Sequence, residues 1–375
     1  MTEENILIQG EELKKLIRDS ASKPNSQACL IFGAGASYGY SKEHFYKPPV
    51  VRDLFNDSNN VVNQVINRPE NIFIKNNKSD YTRDLRNYEN DLERYLSSFY
   101  AQNKEDNLFG RFLQYLEDIF FLASEDVITD STNNYRTIIN LMWSLYGKGR
   151  WSCLSFNYDT ILEKSYLIAD RDTTEREFNS SKSYTGLIPA IVKMHGSINF
   201  RYIFRKPFIE TDQKTHTTHA LFSKMMSDKS SSKDFLRIIG LRQKKPNFYS
   251  YQQIMTSEKK IQPVSHFDFP LMLIPIHASI NPENVFFQEQ LELAKRKIKN
   301  SNLIISIGYN FGDEAFIDNL SSLDFLNKEI ILVDMKSAFS DTGKYSAFQR
   351  ISKKWGNAKI KIFDGNGFDE FMDAV

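Results

Sequence analysis

Four short apolar runs in this chain end in residue types that can do chemistry. Ala28-Cys29-Leu30-Ile31-Phe32 stops at Gly33-Ala34-Gly35-Ala36-Ser37, and Trp151 to Phe156 runs into Asn157-Tyr158-Asp159-Thr160. Ile188 to Met194 ends at His195-Gly196, and Asn302 to Ile307 ends at Gly308-Tyr309. Glycine admits a ligand close to the backbone, and a helix start beyond it offers N–H groups to a diphosphate. A carboxamide such as Asn157 can both donate and accept. Histidine changes charge near neutral pH, which makes His195 a candidate general base. A fifth run, Glu329 to Val333, ends in Asp334, an acid that could hold a ribose hydroxyl.

Each feature also has a plainer reading. Gly33 to Ser37 could be a tight strand-to-helix turn, and it is only half of the Gly-x-Gly-x-x-Gly dinucleotide fingerprint. Tyr38 stands where the third glycine belongs, and Gly39 follows. Asn157 and Asp159 could simply cap the next helix, since both are good N-cap residues. His195 alone could be structural. His216, His219, His266 and His277 have no companions at metal-ligand spacing.

The elements that must position these residues follow from periodicity. Short, mostly apolar runs read as buried strands. They occur at Ala28–Phe32, Trp151–Phe156, Ile188–Met194, Leu271–Ile276, Asn302–Ile307, Glu329–Val333 and Lys359–Phe363. Helical spacing marks Gly10–Ser20, Tyr88–Phe99, Phe109–Leu122, Tyr135–Tyr146, Ile161–Tyr166, Glu283–Lys299, a helix from Glu314, and Phe368–Ala374. Pro48-Pro49 forces a loop after the first unit. Strands alternating with helices predict an α/β protein with a doubly wound, parallel, Rossmann-like sheet. One domain over residues 1–375 is expected, with a helical insertion at about residues 56–148 and a lid or insertion at about residues 201–262. In such sheets ligands bind beyond the carboxyl ends of the strands.

Composition narrows the class of function. The 375 residues are 41% hydrophobic and 25% charged, enough apolar content for a sizeable core. Lys plus Arg is 48 and Asp plus Glu is 47, a net charge of +1, so no direct nucleic-acid or acidic-lipid surface is expected over the whole chain. The two cysteines, Cys29 and Cys153, lie inside apolar runs and read as core thiols; a four-cysteine zinc site is excluded and no metal is expected. The start Met-Thr-Glu-Glu-Asn does not resemble a signal peptide. No apolar stretch approaches the roughly 20 residues of a membrane span. A cytoplasmic protein is expected.

The order and rough spacing of the four motifs resemble the sirtuin superfamily. That family carries a Gly-Ala-Gly loop, a Gln-Asn-x-Asp strand end, a His-Gly pair and a late Gly-Ser or Gly-Tyr loop. Here these correspond to Gly33-Ala34-Gly35-Ala36-Ser37, Phe156-Asn157-Tyr158-Asp159, His195-Gly196 and Gly308-Tyr309. The resemblance departs from the deacylases in three places. The zinc-ribbon cysteines are absent, Pro48-Pro49 replaces the Gly-Ile-Pro-Asp-Phe-Arg segment, and Phe156 stands in place of Gln. These departures look like the zinc-free sirtuin-like domains of bacterial anti-phage defence systems, which break NAD down.

The resemblance therefore implies an NAD glycohydrolase that depletes NAD in abortive infection, with NAD as its substrate. Asn157 and His195 are the implied catalytic residues. Gly33, Ala34, Gly35, Ala36 and Ser37 would hold the diphosphate through backbone N–H groups. Asp159 would bind the nicotinamide-side ribose or anchor its loop; Gly308 and Tyr309 would line the adenosine side, and Asp334 its ribose. A lethal activity needs control, and no stretch reads as a phage sensor. The resemblance thus implies a homo-oligomer and an activating partner protein from the same operon, such as a HerA-like ATPase or a short argonaute. The alternatives are an NAD-dependent protein deacylase, and a non-catalytic module that senses NAD or ADP-ribose.

Overall fold

The computed structural model describes residues 7–8, 10–50, 53–87, 95, 98–99, 101–102, 108–128, 132–170, 190–204, 225, 227–231, 236–238, 241, 267–272, 283–335 and 347–375. In chain order the elements are β1 (Leu7–Ile8), α1 (Gly10–Ser22), β2 (Ala28–Phe32), α2 (Ala34–Tyr38), α3 (Asn60–Ile66), α4 (Ile72–Asn87), α5 (Leu108–Ala123) and α6 (Asn134–Tyr146). Then come β3 (Trp151–Ser155), α7 (Ile161–Ala169), β4 (Ile191–Lys193), β5 (Gly196–Phe204), β6 (Leu236–Ile238), β7 (Phe267–Met272) and α8 (Val285–Asn300). The chain closes with β8 (Leu303–Ile307), α9 (Glu314–Leu320), β9 (Glu329–Val333), α10 (Ala347–Lys354), β10 (Lys359–Phe363) and α11 (Gly367–Ala374).

Seven strands form one parallel sheet in the order β1-β10-β9-β8-β2-β3-β4. Apart from the two-residue edge strand β1, the winding starts near the middle, at β2, and runs outward both ways, which is the doubly wound arrangement. All five residues of β2 are buried, and so are all five of β3 and of β8. Alternation along β2 divides the core in two. Ala28, Leu30 and Phe32 pack against α1, α6, α7 and α11 on one face, while Cys29 and Ile31 pack against α8, α9 and α10 on the other. Each side-chain set is apolar, so burial on both faces drives the sheet to the centre of the molecule. Cys29 and Cys153 are free thiols in this core, and burial pushes the Cys29 thiol up to about 12.

Between β2 and β3 the chain runs through the helices α3 to α6, and in this section Phe55, Tyr81, Phe99, Phe112 and Tyr115 form one continuous ring cluster. Most of Tyr88–Phe99 and nearly all of residues 201–262 lie outside the described residues, as do His216, His219, His266 and His277.

One expectation is corrected. The run at Leu271 does not enter the parallel sheet: β7 pairs antiparallel with β5, and β5 with β6, in a separate three-stranded sheet. An apolar run reports burial and not strand direction, so periodicity could not separate the two sheets. The stretch from Gly196 to Phe204 forms the strand β5 of that second sheet. It is tied to the helical section by a buried ion pair between Arg201 and Glu117 of α5. Neither β1, only two residues long, nor the eight-residue α10 is among the predicted elements.

Candidate active site at the carboxyl edge of the sheet

Strand register brings the singled-out residues to one level. Phe32 pairs with Ser155 on one side and Ile307 on the other; Ser155 pairs with Lys193, and Ile307 with Val333. The ladder continues one residue further: Phe156 N–H donates to Phe32 O at 2.9 Å, Met194 N–H to Ser155 O at 2.9 Å, Gly33 N–H to Ile307 O at 3.0 Å, and Gly308 N–H to Val333 O at 2.8 Å. Gly33, Phe156, Met194, Gly308 and Asp334 therefore stand in one row. Asn157, His195 and Tyr309 form the next row above it.

The glycines serve close approach between two turns. Gly308 has φ +61°, a conformation that L side chains rarely adopt. A Cβ on Gly35 would stand 2.9 Å from the Gly308 Cα, and one on Gly33 would stand 2.6 Å from the Tyr309 Cα. The turns after β2 and β8 thus touch at the switch point of the sheet. The helix begins at Ala34, is five residues long, and has Gly33 as its N-cap. The N–H groups of Gly33, Gly35 and Ala36 are donated to Ile307 O, Gly308 O and Gly33 O, so they are spent inside the protein.

Asn157 is buried beside this turn. Its Nδ2 donates to Gly33 O at 2.8 Å and to Ser37 Oγ at 2.8 Å, with Tyr135 OH at 3.4 Å. An amide has two N–H bonds, so the donor side of Asn157 is filled and only its Oδ1 is left for a ligand. Asp159 is buried as well. Its Oδ1 accepts at 3.1 Å from the N–H of Ile161, the first residue of α7, whose N-cap is Thr160. Burial raises its pKa, against the opposing influence of the Lys193 charge and the Ile161 N–H.

Beneath these residues lies a charged cluster. Lys193 Nζ stands 3.1 Å from Glu163 Oε1 and donates to the Asp159 carbonyl at 2.8 Å. Lys193 and Glu163 are both inaccessible to solvent, and burial raises the Glu163 pKa in spite of the lysine. One cation, at the end of β4, therefore acts on two buried carboxyl groups, Glu163 of α7 and Asp159 just before that helix.

His195 packs differently. Its ring stands edge-on to Phe156 at 5.0 Å and 88°, and tilted to Tyr158 at 6.1 Å. Its Nε2 lies 3.0 Å from Asp313 Oδ2. The side chains are 13% and 23% exposed, so the pair is half-sheltered yet reachable. Among the described residues Asn157 and His195 share no side-chain hydrogen-bond partner: Asn157 reaches Ser37 and Tyr135 of the first face, whereas His195 pairs with the cap of α9 on the second. Phe156 and Tyr158, the neighbours of Asn157 in sequence, hold the imidazole at the same strand end.

Periodicity did not single out Asp313. It is the N-cap of α9, with Oδ1 accepting from Phe316 N–H at 2.9 Å. Burial acts to raise its pKa, but the His195 hydrogen bond and charge and the N–H groups of Phe316 and Ala315 hold it below the usual carboxylate range. An acid closing a glycine-containing loop immediately before a helix was the available signal. The loop itself is pinned. Asn310 Oδ1 accepts from Gly312 N–H at 2.9 Å, and Phe311 is fully buried at φ +55° between Tyr309 and Trp355. A bulky residue held there costs about 1–3 kcal/mol, which the burial of its ring offsets.

Tyr309 lies face to face on Phe156, with ring centroids 3.9 Å apart and an interplanar angle of 14°. Phe156 also meets Phe316 edge-on at 4.9 Å. A glutamine at position 156 would put an amide into this ring stack, which accounts for the aromatic residue there. Asp334 is partly buried at the next strand end. Its Oδ1 accepts from Met335 N–H at 2.8 Å, and burial raises its pKa to about 6. Among the described residues no group of three or more His, Cys, Asp or Glu is placed to hold a metal ion, and no helix is long and apolar enough to cross a membrane.

No family model and no curated protein matches the chain. Among solved structures, it is similar to a Sir2 homologue in complex with NAD, at 12% identity and a TM-score of 0.42, over 99% of this chain and 95% of that one. It is also similar to Sir2Tm bound to a propionylated peptide, at 11% identity and a TM-score of 0.40, over 96% of each chain. A mutant Sir2 homologue in complex with ADP-ribose matches at 12% identity and a TM-score of 0.40, over 96% of this chain and 93% of that one.

Proposed function

We propose that this chain is an NAD glycohydrolase, binding NAD across the carboxyl edge of the parallel sheet and cleaving the bond between nicotinamide and C1′ of its ribose. One observation carries the reading. Asn157 and His195 stand two residues beyond the same register row, and a carboxylate holds the imidazole through its Nε2. The sirtuin resemblance of the four motifs supports NAD as the nucleotide.

Glycosidic bonds of this kind break with positive charge developing on the sugar. Water adds its oxygen to C1′, and the N–C1′ bonding pair leaves with nicotinamide, which departs neutral. The water gives one proton to the imidazole of His195, and ADP-ribose is the second product. Asn157 Oδ1 accepts from a ribose hydroxyl or from the water. The second carboxylate oxygen of Asp334 accepts from the other ribose. Asp159 and the Lys193–Glu163 pair hold the strand ends that present them.

The resemblance extends the proposal to a defence effector that works as a homo-oligomer and is switched on by a partner protein. The test incubates purified protein with NAD, alone and with the proteins encoded beside it, and quantifies the products by chromatography. Release of nicotinamide and ADP-ribose in equal amounts is the expected outcome. O-acyl-ADP-ribose as the main product with an acyl peptide would make the chain a deacylase. NAD binding without loss under every condition would make it a sensing module.

A further inference from the structure

We propose that Asp313 is a positioning residue for His195: its Oδ2 holds the proton on Nε2, so that Nδ1 is the nitrogen that takes the proton from the attacking water. The proposal rests on the glycohydrolase reading of the same site.

The geometry supplies each part. Asp313 is placed without help from His195, because its other oxygen caps α9 and the buried Phe311 ring pins the loop before it. The imidazole is clamped on two sides by Phe156 and Tyr158, and its Nε2 meets Oδ2 at 3.0 Å. Nδ1 makes no hydrogen bond among the described residues, and the ring is partly open to solvent. The Asp313 carboxyl is held below the usual carboxylate range and is ionised at neutral pH. An ionised carboxylate only accepts, so the nitrogen facing it must carry the hydrogen. In the neutral ring the other nitrogen is then a lone-pair base. During hydrolysis the water O–H bond breaks, its oxygen bonds C1′, and its proton moves to Nδ1. The resulting imidazolium is stabilised across the ring by Oδ2.

Asp313→Asn is the informative change. Asparagine is as good an N-cap as aspartate, so α9 keeps its start, and the amide turns its N–H groups toward Nε2. The ring proton must then move to Nδ1, which becomes a donor. The same substitution in the serine-protease triad costs about 10⁴-fold in kcat through the wrong tautomer. The expectation here is a fall in kcat of at least about 100-fold, with KM changed by less than about threefold, as for a loss confined to the transition state.

Long-range ¹H–¹⁵N spectra of the full-length protein give the second readout. The His195 signals, assigned by their loss in His195→Gln, should show the Nε2–H tautomer in the wild type and Nδ1–H in Asp313→Asn. A wild-type spectrum showing Nδ1–H overturns the proposal even if the variant fails to fold. A tautomer switch with unchanged kcat overturns it too, because Nδ1 would then not be the base. A wild-type protein that never consumes NAD sinks the glycohydrolase reading instead, and the spectra still decide how Asp313 holds the ring.

Discussion

The side-chain amide of Asn157 donates to the carbonyl oxygen of Gly33 at 2.8 Å, tying the end of β3 to the turn that follows its neighbour β2. The same nitrogen donates to Ser37. A residue expected to act on a ligand is therefore also a strut. Asn157→Ala should abolish NAD turnover and also lower stability by about 1–3 kcal/mol, the cost of leaving buried hydrogen-bonding groups unpaired. Urea unfolding followed by circular dichroism measures the second part. An unchanged unfolding midpoint would mean that the strut is dispensable.

His195→Ala should behave in the opposite way. The ring is partly exposed, and Asp313, its hydrogen-bond partner among the described residues, can turn to water. Turnover should fall by about 10²–10⁴-fold, the usual share of general acid–base catalysis, with a small change in the unfolding midpoint. The loss of the imidazole should also let the Asp313 pKa rise, which ¹³C titration of its carboxyl carbon would detect.

Gly308→Ala tests the contact between the two turns. Gly308 sits at φ +61°, and an added Cβ would meet the backbone of Gly35 and Ala36. Overpacking and the left-handed conformation together should cost about 2–4 kcal/mol. Thermal unfolding gives the magnitude. A Tm within a degree or two of the wild type would show that the turns separate freely.

Lys193→Met should be among the most damaging single changes below the site. It would strip Asp159 and Glu163 of their shared cation in a solvent-free cluster, a loss of about 3–5 kcal/mol for a broken buried pair. Replacing Glu163 by Leu in the same chain should restore part of that loss. A double variant no more stable than Lys193→Met would contradict the pairing.

Asp334 supplies a pH test. Burial raises its folded pKa to about 6, above the unfolded carboxylate value. The folded state therefore holds the proton more tightly, and this group's contribution to stability falls as pH rises from about 4 to about 6. Asp334→Asn removes the slope, so the variant should gain on the wild type at pH 7 relative to pH 4. Urea unfolding at the two pH values measures the difference. If Asp334 holds a ribose, the variant should also bind NAD more weakly above pH 6, by calorimetry.

Much of the architecture was legible in periodicity because both faces of the sheet are buried. Strands buried on two sides must be apolar throughout, and the runs at Leu30, Leu154, Ile305 and Ile331 stand out for that reason. The antiparallel sheet of β5, β6 and β7 was not legible, since strand direction leaves no mark on composition. The aromatic residue at position 156 could be seen only as a departure from a motif. Its stack on Tyr309 explains it.

By itself, the amino-acid sequence determined the doubly wound class, the strand ends that carry Gly33, Asn157, His195, Gly308 and Asp334, and the burial of both cysteines. These follow from local patterns, which hydrophobic burial obliges every such sheet to keep. The tertiary structure alone decided which groups meet. It spent the Gly35 N–H on Gly308, filled the donor side of Asn157, and brought Asp313 to His195 across 118 positions of chain. Those pairings depend on register and loop closure between distant segments, and no local property of either partner encodes them.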